Sequence, residues 1–251
     1  MINRMKTFWE DINSLRNLPV VSVDLMCRET ENNDPFFKKI VQEFYDETQQ
    51  RHKKFPVIKA NTYGVALCQL PKNFEDYFMS IEAAGRRNFK KAKRNHYSFR
   101  RINFNEHLID IRDIRQSSDV RQGKLSDDFL NGNIKECQDP ETKNTMHDYA
   151  YFGIFRDERL VAYAGCFIAG ELCDVQHICG HTQHHSDGVV PMLIIHIAKY
   201  ILDHHPCVKY YSYGTFFGAG ITMRRFKRKF CFIPHKVQWI LGDKKKEKDD
   251  A

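Results

Sequence analysis

The stretch from Tyr149 to Leu241 limits the fold most. Three apolar runs, 149–155, 160–169 and 172–181, follow one another with only Arg156-Asp-Glu-Arg159 and Gly170-Glu171 between them. Runs of this length, rich in Val, Ile, Phe and Tyr and broken by turn residues, are expected to be strands joined by tight turns. Residues 189–203 then place Val190, Leu193, Ile194, Ile197, Ala198 and Ile201 at helical spacing. A strand at 208–213, a loop with Gly214, Gly218 and Gly220, a short basic helix at 221–230 and a strand at 237–241 complete the order. A β-β-β-α-β-α-β sequence excludes an all-helical protein. It predicts an α/β (α+β) fold with a mixed, mostly antiparallel sheet flanked by helices.

The first part, residues 1–145, reads as a further α/β region. Apolar spacing predicts a helix over 36–50, opened by Asp34-Pro35. Residues 63–70 and 97–104 read as strands, 73–95 as one helix or two, and 128–146 as a polar joint. No internal repeat is present.

The 251 residues are enough to bury a core unaided, and 42% hydrophobic content excludes global disorder. No apolar run approaches the roughly 18–20 residues needed to span a bilayer, so no membrane span is expected. The start, Met1-Ile-Asn-Arg-Met-Lys, has no apolar signal region. A cytoplasmic location is expected. Eight cysteines without a CxxC pair are read as reduced thiols.

The net charge of +7 is concentrated. Residues 86–101, RRNFKKAKRNHYSFRR, hold eight Lys or Arg and no acid, and a second basic run covers 224–229. Such runs suit an anionic partner: a small phosphate-bearing substrate, or a nucleic acid such as tRNA or DNA. The charged tail, 243–251, is expected to be disordered.

Between the third strand and its following helix lies Gln183-His-His-Ser-Asp-Gly188. It resembles the Q/R-x-x-G-x-G/A signature of the GCN5-related N-acetyltransferases (GNAT), with Ser186 at the first glycine. The resemblance implies a GNAT-like core over 146–242. It also implies acyl-CoA as co-substrate, with Gln183, Ser186, Asp187, Gly188 and Val189 around its pyrophosphate at a helix N-terminus. Two further segments resemble the Fem-type peptidoglycan aminoacyltransferases. Residues 86–95 are similar to that family's basic helix R-x-x-I-R-K-A-x-K. Ser212-Tyr-Gly214, Gly218-Ala-Gly-Ile221 and Phe226-Lys-Arg-Lys-Phe-Cys231 are similar to its closing pattern D-x-G…G-L…F-K-x-x-F-G. Ser212 stands at the acidic position and Cys231 at the glycine.

The implied chemistry is transfer of an acyl or aminoacyl group to an amine, which needs a proton acceptor and a donor to the leaving group. Strict strand alternation puts Cys173, His177, Cys179 and His181 on one face, with Asp174 and Gln176 on the other. His177 or His181 is then the candidate base and Tyr213 the candidate acid, with Asp174 beside them. Arg86, Arg87, Lys90, Arg94, Arg121 and Lys227 are candidates for binding substrate phosphates. The Cys and His of 173–181 match no metal-site spacing, so no metal is expected. A nucleic-acid-acting enzyme of the same fold and a catalytically inactive binding module are the alternatives.

Overall fold

The computed structural model describes residues 17–30, 35–51, 59, 61–120, 125–217 and 219–242. Arg121, Gly218, Asp34 and the tail 243–251 lie outside these. The elements in chain order are β1 (Val20–Asp24), α1 (Phe36–Gln49), β2 (Tyr63–Gln69), α2 (Phe74–Ser80), α3 (Ala83–Arg94) and β3 (Ser98–Ile102). Then come α4 (Leu108–Gln116), α5 (Asp127–Asn131), β4 (His147–Arg156), β5 (Arg159–Ala169), β6 (Leu172–Gly180), α6 (Val189–His204), β7 (Tyr210–Thr215), α7 (Ile221–Lys229) and β8 (Ile233–Ile240).

The eight strands form one mixed sheet in the order β1-β8-β2-β7-β6-β5-β4-β3. Two neighbouring pairs, β1/β8 and β6/β7, are parallel, and the other five are antiparallel. The α/β reading therefore holds, with strands from before residue 145 paired into the same sheet as those after it. The turn between β4 and β5 has φ +50° at Asp157 and +61° at Glu158. Two successive positive φ values match the right-handed twist of a hairpin, which is why so short a connection suffices.

Helix α6 is apolar nearly all round, with Met192, Leu193, Ile194, Ile195, Ile197, Ala198 and Ile201 buried. It lies on one face of the sheet with α2 and α3, sharing a core with Phe89, Ala92, Phe152, Ala164, Cys166, Cys173 and Val175. Helices α1 and α4 cover the opposite face. Val41 packs there with Leu67 and Phe167, and Ile111 and Ile114 with Tyr151 and Tyr163.

The alternation expected along β6 fails at one residue. Gly165 pairs with His177 but Cys166 pairs with Val175, so Gln176 is an extra residue. A bulge of this kind reverses the facing of everything beyond it. Cys173 and Val175 face α6, whereas Cys179 faces α4. Asp174, opposite Phe167, therefore shares the α4 side with His177 and Cys179 instead of opposing them.

Candidate active site

Strands β6 and β7 pair in parallel over only three positions, ending at Asp174 opposite Ser212. Beyond that point β6 runs on to Gly180 and β7 to Thr215 without pairing to each other, which opens a gap between them. Asp174 stands at the mouth of this gap. Its carboxylate accepts from the Gln176 amide at 2.6 Å, and Ser212, its register partner on β7, and Gly214 lie near enough to favour the ionised form. Burial pushes its pKa up to about 6, while these donors and Lys227 pull it back down.

Lys227 enters from α7 and is 4% exposed. Its Nζ donates to the Tyr213 carbonyl at 2.5 Å and the Thr215 carbonyl at 2.7 Å, and lies 4.8 Å from the centre of the Tyr213 ring. An ammonium carries three N–H groups, so one is left over. Burial pulls Lys227 down to about 8, opposed by the charge of Asp174. Strand ends that expose carbonyls attract the cation, and Gly214, at φ +56°, keeps the space beside Nζ clear. Burial also raises the Tyr213 phenol, so it stays protonated and keeps an O–H to donate.

The two candidate histidines lie elsewhere. His177 sits between Tyr151 and Tyr163, at ring-centre distances of 5.5 and 5.8 Å, against Gly165, where a Cβ would come within 2.5 Å of its ring. Burial lowers its pKa to about 4, with Arg115 adding to the effect. It is a neutral ring packed among aromatics. His181 leaves β6 to start the next turn: its Nδ1 accepts from the Gln183 N–H at 3.3 Å and its Nε2 lies 3.4 Å from Asp113 Oδ2. Among the described residues no cluster of three or more His, Cys, Asp or Glu could hold a metal ion.

The 183–188 segment is a short 3₁₀ turn, 182–187, and not an open loop. Most of its backbone donors are taken. The Thr182 N–H goes to Ser117 Oγ, Gln183 to His181, His184 to the His181 carbonyl and Gly188 to the His185 carbonyl. Pro191 in the first turn of α6 has no N–H to give. The anion at this helix start is the protein's own. Asp187 accepts from the Tyr97 hydroxyl at 2.9 Å and lies 3.2 Å from Lys91 Nζ, and Lys91 also donates to the Ser186 carbonyl at 2.8 Å. Tyr97 and Lys91 hold the Asp187 carboxyl below its usual value. Gly188 has φ +85°, and a Cβ there would come 2.6 Å from the Asn88 carbonyl oxygen of α3. At its other end α3 meets α7: the Glu82 N–H bonds the Lys229 carbonyl at 3.0 Å, and Gly85 backs onto Phe230. Helix α3 thus reaches from the turn before α6 to the end of α7.

On α3 itself, Arg86 is spent locally, donating to the Met79 and Ile81 carbonyls at 2.6 and 3.0 Å. Arg87, Lys90 and Arg94 are exposed at i, i+3 and i+7, hence on one face. The sequence singled out Asp174, Tyr213 and Lys227, and the fold brings them together. It did not reveal Ser212 and Gln176 as neighbours of Asp174, because the bulge at Gln176 has no local signal.

No family model matches this sequence, and no curated protein matches it. Solved structures do. FemX aligns with TM-score 0.53 at 10% identity, over 68% of this chain and 59% of FemX. L-PGS from Bacillus licheniformis aligns with TM-score 0.45 at 13% identity, over 68% and 56% of the two chains. A tandem GNAT protein from the clavulanic acid biosynthesis pathway aligns with TM-score 0.44 at 12% identity, over 82% and 57%. The chain spans less than two thirds of each of these proteins. At such identities the likeness concerns fold alone, and this chain has a GNAT-like fold similar to that of FemX.

Proposed function

We propose that this protein transfers an acyl or aminoacyl group from an activated donor to an amine, at the gap between β6 and β7. The observation that carries this reading is a carboxylate, Asp174, and a buried ammonium, Lys227 on the Tyr213 and Thr215 carbonyls, at the point where two parallel strands part. The two groups influence each other, and no ion pair joins them among the described residues. Asp174 takes a proton from the attacking amine. The nitrogen lone pair adds to the donor carbonyl, and the free N–H of Lys227 meets the negative charge that forms on its oxygen. Collapse expels the thiolate or alkoxide, which recovers the proton from Asp174 or receives a hydrogen bond from Tyr213.

The donor's phosphates are assigned to the open face of α3, Arg87, Lys90 and Arg94. The 183–188 turn is less suited to a pyrophosphate, since Asp187 places a negative charge there and α3 backs onto Gly188. This favours a charged tRNA or another large phosphate-bearing donor over acyl-CoA. The test is a radiolabelled transfer assay with acetyl-CoA and with mixed aminoacyl-tRNA, each against a panel of amines. The reading expects transfer that Asp174→Asn and Lys227→Met each reduce about 100-fold or more, in line with loss of one acid–base or oxyanion group. Unchanged turnover in both variants would refute the site.

A further inference from the structure

Cys231 follows the last turn of α7 with φ +66°. That is the left-handed conformation glycine enters freely and a residue with a side chain enters at a steric cost. A strained backbone holding a reactive side chain is a reason to look for a role for that side chain.

The thiol is well placed for one. Its Sγ lies 3.2 Å from Ser80 Oγ and 3.4 Å from the Ser80 carbonyl oxygen at the end of α2. It packs against the core cluster that contains Cys68 of β2, whose thiol lies beside it. Cys68 is buried and Cys231 half-buried, so solvent reaches one sulfur of the pair and not the other. The Tyr77 hydroxyl beside them is fully buried and has no hydrogen-bond partner among the described residues. Cys166 and Cys173 are a second neighbouring pair, but both are at 0% exposure and closed to an oxidant.

We infer that Cys231 is an oxidation site for a peroxide-class oxidant, and that Cys68 resolves it to a Cys68–Cys231 disulfide. The Cys231 sulfur attacks one peroxide oxygen, the O–O bond breaks and water leaves, giving a sulfenic acid. The Cys68 sulfur then attacks the Cys231 sulfur, the S–O bond breaks, and the oxygen departs as water with the Cys68 proton. Two thiols are oxidised, one peroxide is reduced to two waters, and no further reductant is involved. The neighbouring Cys68, and after it Ser80, draw the Cys231 thiol down to about 6, toward the thiolate that such attack requires. The bond would fasten β2 to the end of the helix that carries Lys227.

The experiment treats the full chain with equimolar hydrogen peroxide, blocks free thiols with N-ethylmaleimide and maps the unreduced peptides by mass spectrometry. The result expected is a single cross-link between the Cys68 and Cys231 peptides. In Cys68→Ser, a dimedone adduct should appear at Cys231 instead. In Cys231→Gly, a change that suits the backbone, Cys68 should remain alkylated and unoxidised. A disulfide joining Cys231 to any other cysteine or to a second chain, preferential oxidation of another thiol, or no oxidation of Cys231 would overturn the proposal. None of these readouts depends on acyl transfer, so they stand or fall apart from the proposed activity.

Discussion

At the residue scale, Asp174 and Lys227 are costly to keep and costly to separate. Each loses hydration on folding, and each is partly compensated by the other and by backbone dipoles. The sign of each shift sets the pH behaviour. Asp174 must be ionised to accept a proton, so the transfer rate should climb as pH rises through about 6. Lys227 must be protonated to meet an oxyanion, so the rate should fall as pH rises through about 8. A bell with those two limbs in kcat/KM is the expected profile. In Lys227→Met the residual activity should keep its acid limb but shift it to higher pH, because Lys227 is one of the groups pulling Asp174 down. A limb that does not move would mean the two groups do not share a site. Asp174 could be picked out from sequence as a carboxylate on a strand. Its side of the sheet could not, because the bulge at Gln176 breaks the period-two rule and depends on how β5 pairs with β6. His177 shows the reverse: a histidine of suitable chemistry whose surroundings, Tyr151, Tyr163 and Gly165, leave it neutral and enclosed.

At the element scale, most boundaries followed from periodicity and turn chemistry. The hairpin at Asp157-Glu158, the apolar helix α6 and the basic helix α3 all lie where spacing put them, within a residue or two. The exceptions have physical causes. Strand β1 is five residues long and depends on parallel pairing with a strand more than two hundred residues later. Helix α4 is a short charged segment whose only buried positions are Ile111 and Ile114. Strand β8 begins at Ile233, four residues before the apolar run that suggested it, because β2 pairs with it across Pro234. The turn into α6 carries a stability prediction. Gly188→Ala must accommodate both a positive φ and a contact 2.6 Å from backbone, and should cost roughly 2 kcal/mol or more, about 4–8 °C in Tm for a domain of this size. Gly220→Ala, with nothing within 4 Å of the added carbon, should leave thermal unfolding nearly unchanged. Equal losses in the two variants would show that α3 does not pack against the turn as described.

At the scale of the whole molecule, all eight strands belong to one sheet that draws on both ends of the described chain. β2 is inserted between β7 and β8, and β1 closes one edge. Nothing in the local sequence announces that insertion, because strand order is decided by pairing across long separations. The same long-range assembly brings α3 from the first part of the chain to both the turn before α6 and the end of α7. Its outward cations belong to no described ion pair, so a polyanion is their natural partner. Reversing Arg87, Lys90 and Arg94 to Glu should weaken tRNA binding at least about tenfold at low salt and flatten its dependence on salt concentration, as expected when phosphate contacts are lost. Binding of coenzyme A should change much less, and coenzyme A at millimolar concentration should produce little rise in Tm. A large, saturable rise would point instead to a pyrophosphate seated on the 183–188 turn.

The measurement that bears most directly on the proposed site is a carboxyl titration by ¹³C NMR, in protein labelled at aspartate, with Asp174→Asn used to assign the resonance. It requires no knowledge of donor or acceptor. The account predicts that Asp174 titrates at about 6 and moves upward when Lys227 is replaced by Met. A midpoint near the ordinary aspartate value, unmoved by loss of Lys227, would contradict it.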